Sequence, residues 1–418
     1  MDAPVTQVLH RGLDWWRRQK HNYRVAVTRA ASQGFLLNLT SQYNSIFTVG
    51  LGADSMQLGT VSSIGGAISS LISMPIGWLA DRYGIKLLQM GGIAMMAGSA
   101  LIFGLAQSWQ AIIAATILAS ISMRLIGTGC SVICASSVGT KDRVTAQNVC
   151  VTANSLLSMV APLLAAYLVT RFGGMTVEGI RPLYYVRFVG YVLILGFLWW
   201  QLREPRRDTL AGGNAKGTFT ADFRELFQGG IAGRWILVAT ITALPTAMMA
   251  PFIALYAHEI KGADQYLLGS MATAMVASRL VFGIPLGRLA DRIGRKRVIF
   301  GITPLWYASI LLLVLAKSPA MLILSGALQT FVNVGMGATS AMGIELMPLE
   351  KQGRWSGLLG LFTGLVTVPA PILGGWIWDA WGPMYILLLP LAIDLLVRVP
   401  LLATVPETGG NANGTAAA

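Results

Sequence analysis

Residues 77–86 read GWLADRYGIK and residues 287–296 read GRLADRIGRK. Each string places an acid and at least two bases within six residues, Asp81 to Lys86 and Asp291 to Lys296, in a chain of 418 residues of which 12% are charged. A shift of 210 residues lays one string on the other, and the register holds outward from it. Gly52, Ala53 and Asp54 fall on Gly262, Ala263 and Asp264; Leu58 and Gly59 on Leu268 and Gly269; Pro75 and Gly77 on Pro285 and Gly287. Ala161–Pro162 returns as Ala370–Pro371, one residue out of step. Half the chain length separates the copies, so the sequence reads as two halves of one design in parallel repeat.

Outside these strings the chain is apolar: 54% of its residues are hydrophobic and its mean hydropathy is +0.62. A soluble domain carries about twice this charge density. The apolar runs are about 20 residues long, the length of a helix that spans a bilayer. Twelve such helices are expected, at 27–50, 57–80, 86–106, 109–137, 147–170, 182–202, 234–258, 265–289, 297–316, 319–345, 355–378 and 383–404. They divide the chain into an N-terminal arm (1–26), a six-helix half (27–202), a polar, Gly-rich linker (203–233), a second six-helix half (234–404) and a disordered tail (405–418). The first apolar run reads as a transmembrane helix, being too long for the core of a cleaved signal peptide.

The net charge is +13, but its distribution excludes nucleic-acid binding. Bases gather in the arm and in alternate connectors: Arg82 and Lys86, Lys141 and Arg143, Arg203 and Arg206, Arg292 to Arg297, Lys351 and Arg354. This is the positive-inside pattern, and it predicts both termini on the cytoplasmic side of the plasma (inner) membrane. Cys130, Cys134 and Cys150 match no zinc or redox spacing, and His10, His21 and His258 form no cluster, so neither metal nor cofactor is expected.

The string G-x-x-x-D-R-x-G-x-[RK], found between helices 2 and 3 and again between helices 8 and 9, resembles the signature loop of the major facilitator superfamily. With twelve helices and a central linker, the likeness extends over essentially the whole chain and points to the bacterial or archaeal drug-exporter-like branch. It implies an all-α membrane fold of two six-helix halves, no enzymatic activity, and a loop that locks the halves together at the cytoplasmic side in the outward-open state. Gly77 and Gly287 would let a neighbouring helix approach, and Gly84 and Gly294 would permit the tight turn. Asp81 and Asp291, costly at the membrane edge unless paired, would meet Arg143 and Arg354. Glu345 is the candidate partner of Arg295, while Arg82, Lys86 and Arg292 complete the motif.

In this family helices 1, 4, 7 and 10 line a central cavity. Here they offer Asn38 and Gln42, one turn apart on one face, Arg124, Thr246 beside Met248 and Met249, and Gln329 and Asn333, again one turn apart. Arg279 lies deep in helix 8. Arg124 with Gly127 and Gly129 is loosely similar to the R-x-x-x-G-x-G element of proton-driven drug exporters, one residue short and without its glutamine. A buried arginine keeps its proton and needs an anionic or carbonyl partner. Asp394 and Arg398, at i and i+4 in helix 12, would pair with each other. These residues describe a monomeric secondary transporter that works by alternating access, exporting a small amphipathic molecule, neutral or anionic, with a proton as the coupling ion. An organic-anion or nutrient uptake carrier is the alternative in the same class, and a non-transporting receptor or assembly factor the alternative outside it.

Overall fold

The computed structural model describes residues 19–83, 85–137, 143–203, 231–345, 352–405 and 407, with side chains outside 74–85, 128–148, 231–232, 344–358 and 361. Its helices form twelve rods. We number them α1 (His21–Thr40, continued by Asn44–Gly50), α2 (Ser55–Tyr83), α3 (Ile85–Leu105), α4 (Trp109–Ser137), α5 (Arg143–Ser158, continued by Ala161–Arg171) and α6 (Val177–Gln201). The second half holds α7 (Ile231–Met249, continued by Ile253–Glu259), α8 (Gln265–Ile293), α9 (Arg295–Leu315), α10 (Pro319–Glu345), α11 (Gln352–Thr367, continued by Ala370–Ala380) and α12 (Tyr385–Ile393, a π turn Asp394–Arg398, and Val399–Ala403). Backbone polar groups in hydrocarbon must be satisfied within their own segment, so long apolar runs become helices. Among the described residues nine rods, α3 to α10 and α12, are long and apolar enough to cross a membrane. Of the other three, α2 and α11 pack against each other at the seam between the halves.

The repeat is visible in the caps. Asp54 accepts a hydrogen bond from the Gln57 amide at 2.6 Å, and its equivalent Asp264 accepts one from the Leu267 amide at 2.8 Å. Each aspartate satisfies an orphan N–H at a helix start. The repeat is visible again in four breaks, where the sequence predicts unbroken helices. They fall at 41–43, 159–160, 250–252 and 368–369, and a shift of 209 carries the first pair onto the second. Pro162, Pro251 and Pro371 lack the N–H that would bond back across three of them. No proline marks the break in α1.

The two ends of the bundle differ. At one, the end away from the signature loops, a single apolar core joins both halves: Phe47, Val169 and Tyr184 of the first with Phe252, Leu268 and Trp378 of the second. Toward the other end the core splits into separate clusters within each half, the larger ones around Ile93, Met96 and Tyr191 and around Trp235, Ile299 and Met342. At the joined end backbone meets backbone. A Cβ on Gly59 (α2) would run into the Pro371 carbonyl oxygen of α11, one on Gly375 (α11) into the Ser55 carbonyl oxygen, and one on Gly269 (α8) would stand 2.9 Å from the Pro162 carbonyl oxygen of α5. Gly59–Pro371 and Gly269–Pro162 are one contact repeated by the pseudo-two-fold axis. Gln265 Nε2 adds a hydrogen bond to Thr170 Oγ1 at 2.9 Å across the same seam.

The signature loop between α8 and α9 is a one-residue turn. Gly294 adopts φ +106°, where a side chain is strained. Lys296 Nζ donates to the carbonyls of Ala403 and Val405, both at 2.7 Å, and Lys86 Nζ to that of Trp199 at 3.2 Å. The two lysines thus tie α9 to the end of α12 and α3 to the end of α6, inside their own halves. The tail, expected to be disordered from residue 405, instead starts pinned. Val405 is buried, and the Glu407 carboxylate accepts from the Lys296 amide at 2.8 Å.

The seam yields a first prediction. Gly59→Val forces a side chain against the Pro371 carbonyl, and overpacking of this kind costs about 1–3 kcal/mol. Spin-label distances across the joined end should lengthen. Unchanged distances and an unchanged melting temperature would show that the contact is not close-packed.

Candidate functional site

Between the halves, at the level of the helix breaks, lies a cavity of about 370 Å³. The break in α1 contributes Ser41 and Gln42, α7 contributes Thr246 and Met249, α8 Met271 and Met275, α9 Trp306, and α10 Gln329, Asn333 and Met336. Four sulfurs and an indole make a soft, deformable apolar wall. Broken helices at such a site free backbone and side chains to face the cavity instead of bonding along the rod.

The wall carries a few polar groups. Gln42 Nε2 donates to the Pro162 carbonyl at 3.4 Å, while its Oε1 has no protein partner. Gln329 Nε2, across the cavity on α10, has none either. A buried donor or acceptor left unmatched costs about 1–3 kcal/mol. Both atoms are buried within the wall, so each glutamine meets a polar group on an otherwise apolar ligand by rotating its amide into the cavity. Thr246 Oγ1 is bound to the Ala243 carbonyl of its own helix at 2.9 Å and presents its methyl group and an acceptor lone pair.

Of the seven lining residues expected from sequence, Gln42, Thr246, Gln329 and Asn333 share this cavity. The other three sit elsewhere. Asn38 Nδ2 bonds back to the Gly34 carbonyl at 2.9 Å, because the break at 41–43 ends the helical register that would have stacked it on Gln42. Met248, expected beside Met249, is packed in the core. Arg124 is exposed and donates from Nε to Ser69 Oγ of α2 at 2.7 Å, outside this cavity. Arg279 lies one turn beyond Met275 on α8 and lines a second cavity, of about 350 Å³, with Arg29, Gln33 and Asn154. Arg29 had no place in the sequence reading. An arginine inside a run without acids, four residues before a glutamine, was the available signal.

A third feature went largely unread. Asp394 and Arg398 do pair, at 2.6 Å between Arg398 Nε and Asp394 Oδ1, and both side chains are almost fully buried. Tyr307 donates to Asp394 Oδ2 at 2.7 Å and Arg398 to Thr303 Oγ1 at 3.0 Å. The π turn at 394–398 carries the pair to a small cavity whose walls, Thr246, Trp306 and Met336, also bound the central one. A charge-neutral, buried unit thus stands behind the wall of the second half.

At the split end Asp291 is disengaged. Its side chain is 69% exposed and its ion pair is local, to Arg295 at 3.5 Å, and no atom lies within 4 Å of a Cβ built on Gly287. Arg292 is likewise exposed. Gly84 and the side chains at Gly77, Asp81, Arg82, Arg143, Glu345 and Arg354 lie outside the described residues. Among the described residues the signature loop after α8 thus makes no contact with the first half through Asp291 or Gly287.

The family profile described as Major Facilitator Superfamily matches residues 30–278 and 235–417. An uncharacterized MFS-type transporter of Mycobacterium tuberculosis is 36% identical over 152 residues, 34% of this chain and 20% of that one, so the chain matches only a fifth of that relative's length. The multidrug resistance protein MdtG of Dickeya zeae is 24% identical over 385 residues, 88% of this chain and 90% of that one. The crystal structure of the nucleoside transporter NupG has the same fold, with a TM-score of 0.72 at 13% identity over 92% of this chain and 99% of that one.

The buried pair sets a second prediction. Asp394→Ala leaves Arg398 buried and uncompensated, which costs about 3–5 kcal/mol. Melting of the detergent-solubilised protein should fall by several degrees, and the double variant Asp394→Leu/Arg398→Leu should regain most of the loss. A double variant no better than the single one would mean that the pair does more than neutralise itself.

Proposed function

The chain belongs to the major facilitator superfamily, and on that premise we propose that it exports a small amphipathic molecule by alternating access about the Gln42–Gln329 cavity. It is an integral membrane transporter and not an enzyme. The observation that carries the finer reading is the cavity itself, a Met- and Trp-lined space at the breaks in α1 and α7 with a glutamine from each half, each holding an unmatched amide atom, in its wall. An apolar body with one or two polar groups fits that wall. Gln42, Thr246, Gln329 and Asn333 bind it.

Direction follows from charge. The split end carries Arg292, Arg295, Lys296 and Arg297 and faces the cytoplasm by the positive-inside rule. The conformation described is then inward-open, the state that loads from the cytoplasm. The likeness to a multidrug resistance protein supports export. Asp81 and Asp291 lock the cytoplasmic end in the opposite state, against Arg143 and Arg354. The sequence holds no nucleotide-binding loop, so uphill export draws on a coupled ion, and a proton is the candidate.

Reconstituted vesicles test this. Gln329→Ala with Asn333→Ala removes hydrogen-bonding groups worth about 1 kcal/mol each, so transport of a responsive compound should fall at least tenfold with melting unchanged. A protonophore should abolish accumulation against a gradient. Full transport by the double variant would move the site elsewhere. Asp291→Asn should deplete the outward-open state, read as longer spin-label distances across the cytoplasmic end under conditions that favour closure. Distances equal to wild type would remove Asp291 from the gate.

A further inference from the structure

The second cavity faces both halves. Arg29 and Gln33 of α1, Cys150, Asn154 and Ser155 of α5 and Arg279 of α8 line it. Arg29 is 3% exposed. Its Nη1 donates to Gln33 Oε1 and its Nε has no protein partner. Asn154 is already engaged, donating to the Ala30 carbonyl at 3.0 Å and accepting from Ser158. Arg279 makes no hydrogen bond or ion pair among the described residues. Between residues 21 and 202 the sequence has four carboxylates, Asp54, Asp81, Asp142 and Glu178. Asp54 caps α2 and Glu178 opens α6 at the joined end; Asp81 and Asp142 lie at or beyond the split-end limits of α2 and α4. Among the described residues no carboxylate lines the cavity.

Arginine cannot discharge by losing its proton, and a buried cation is held at high cost without a counter-charge. Two guanidinium groups on opposite halves, Arg29 buried and Arg279 exposed, thus share one cavity without an acid among the described residues. We propose that this cavity is an anion site, and that a singly charged acidic group of the transported amphiphile binds between Arg29 and Arg279. This deepens the transporter reading above and rests on it. Met275 lines the central cavity and Arg279 follows it by one helical turn on α8, about 6 Å along the axis. A ligand with an acidic head and an apolar body can place the head between the arginines and the body against Met275, Met271 and Trp306. The geometry also gives the head a conformational effect. Drawing α1 and α8 together brings two like charges together, which opposes closure of the split end. An anion between them reverses the sign. The ligand then binds the closing form better than the open one, which is what a ligand needs in order to shift the population.

The test uses the full-length protein in neutral detergent with 2-naphthoate and its uncharged isostere 2-naphthamide. Two readouts are taken: the dissociation constant by thermal shift, and the distance between spin labels at Leu87→Cys on α3 and Arg297→Cys on α9 in a background without native cysteines. Naphthoate should shorten the distance and naphthamide should not. Arg279→Gln, a change at an exposed residue, should raise the naphthoate dissociation constant at least tenfold and abolish the shortening, with Arg279→Lys recovering part of both. Arg29→Lys should keep binding where Arg29→Gln loses it. Equal responses to the two compounds, or no response to naphthoate, would overturn the anion site. If naphthamide is still transported, with Arg279→Gln moving it as wild type does, the transporter reading survives that failure. A response confined to bilayer discs containing phosphatidylglycerol, with none to naphthoate, would assign the arginines to lipid headgroups and also overturn the proposal.

Discussion

The seam of glycine against carbonyl at the joined end is the contact on which the other features depend. In a bilayer the hydrophobic effect gives helices little reason to prefer one another over lipid, and association rests on close van der Waals approach. Gly59 and Gly375 provide it between α2 and α11, and Gly269 between α8 and α5. With the halves pinned there, the single core runs across both, and opening anywhere else follows as rotation about that line. The cavity at the helix breaks and the split at the basic end are consequences of pinning two rigid bodies at one edge.

The charges follow the same division. The second half neutralises its buried arginine internally, with Asp394, Tyr307 and Thr303 around Arg398. In the first half no carboxylate among the described residues reaches its buried arginines. Arg187 of α6 is buried and makes do with Thr40 Oγ1 at 2.8 Å and the Met96 sulfur at 3.3 Å, with the Tyr191 ring 5.5 Å away. Arg29 has Gln33 alone. Arg398 is therefore electrically quiet, while Arg29 and Arg279 give the cavity between the halves a cationic lining from both sides. A cleft lined by one sign of charge selects ligands by charge as well as by shape.

How far the sequence could be read depended on which regularity a residue obeyed. The repeat was legible because its residues do backbone work that side-chain drift cannot imitate: Asp54 and Asp264 cap helices, and Gly294 turns with φ +106°. Gln329 and Asn333 were legible as a pair because α10 runs unbroken between them, so the four-residue spacing survives as a shared face. Asn38 and Gln42 have the same spacing, and the prediction failed for them because the helix stops between the two. That break has no proline to announce it; its equivalent at 250–252 contains Pro251, and only the repeat links the two. Arg124 drew notice through a loosely similar motif and is exposed, whereas Arg29, with no motif about it, is buried in the wall of a cavity between the halves. Burial comes from what the other helices place around a residue, and a linear pattern carries little of that.

The two ends of the molecule thus close by different physics. Closure at the joined end needs nothing but the chain, since backbone contacts and an apolar core are satisfied with the cavity empty or full. On the reading proposed above, closure at the split end brings Arg29 and Arg279 toward each other. A molecule with equal closure energies at both ends would shuttle whether or not it carried anything. One that closes freely at the joined end, and at the split end only with its cations matched, would instead stay open there until a ligand of the right charge arrives. The contrast between Arg398, neutralised within its own half, and Arg29 and Arg279, which meet across the halves without an acid among the described residues, is what would make closure depend on cargo in a fold whose two halves share one helical plan.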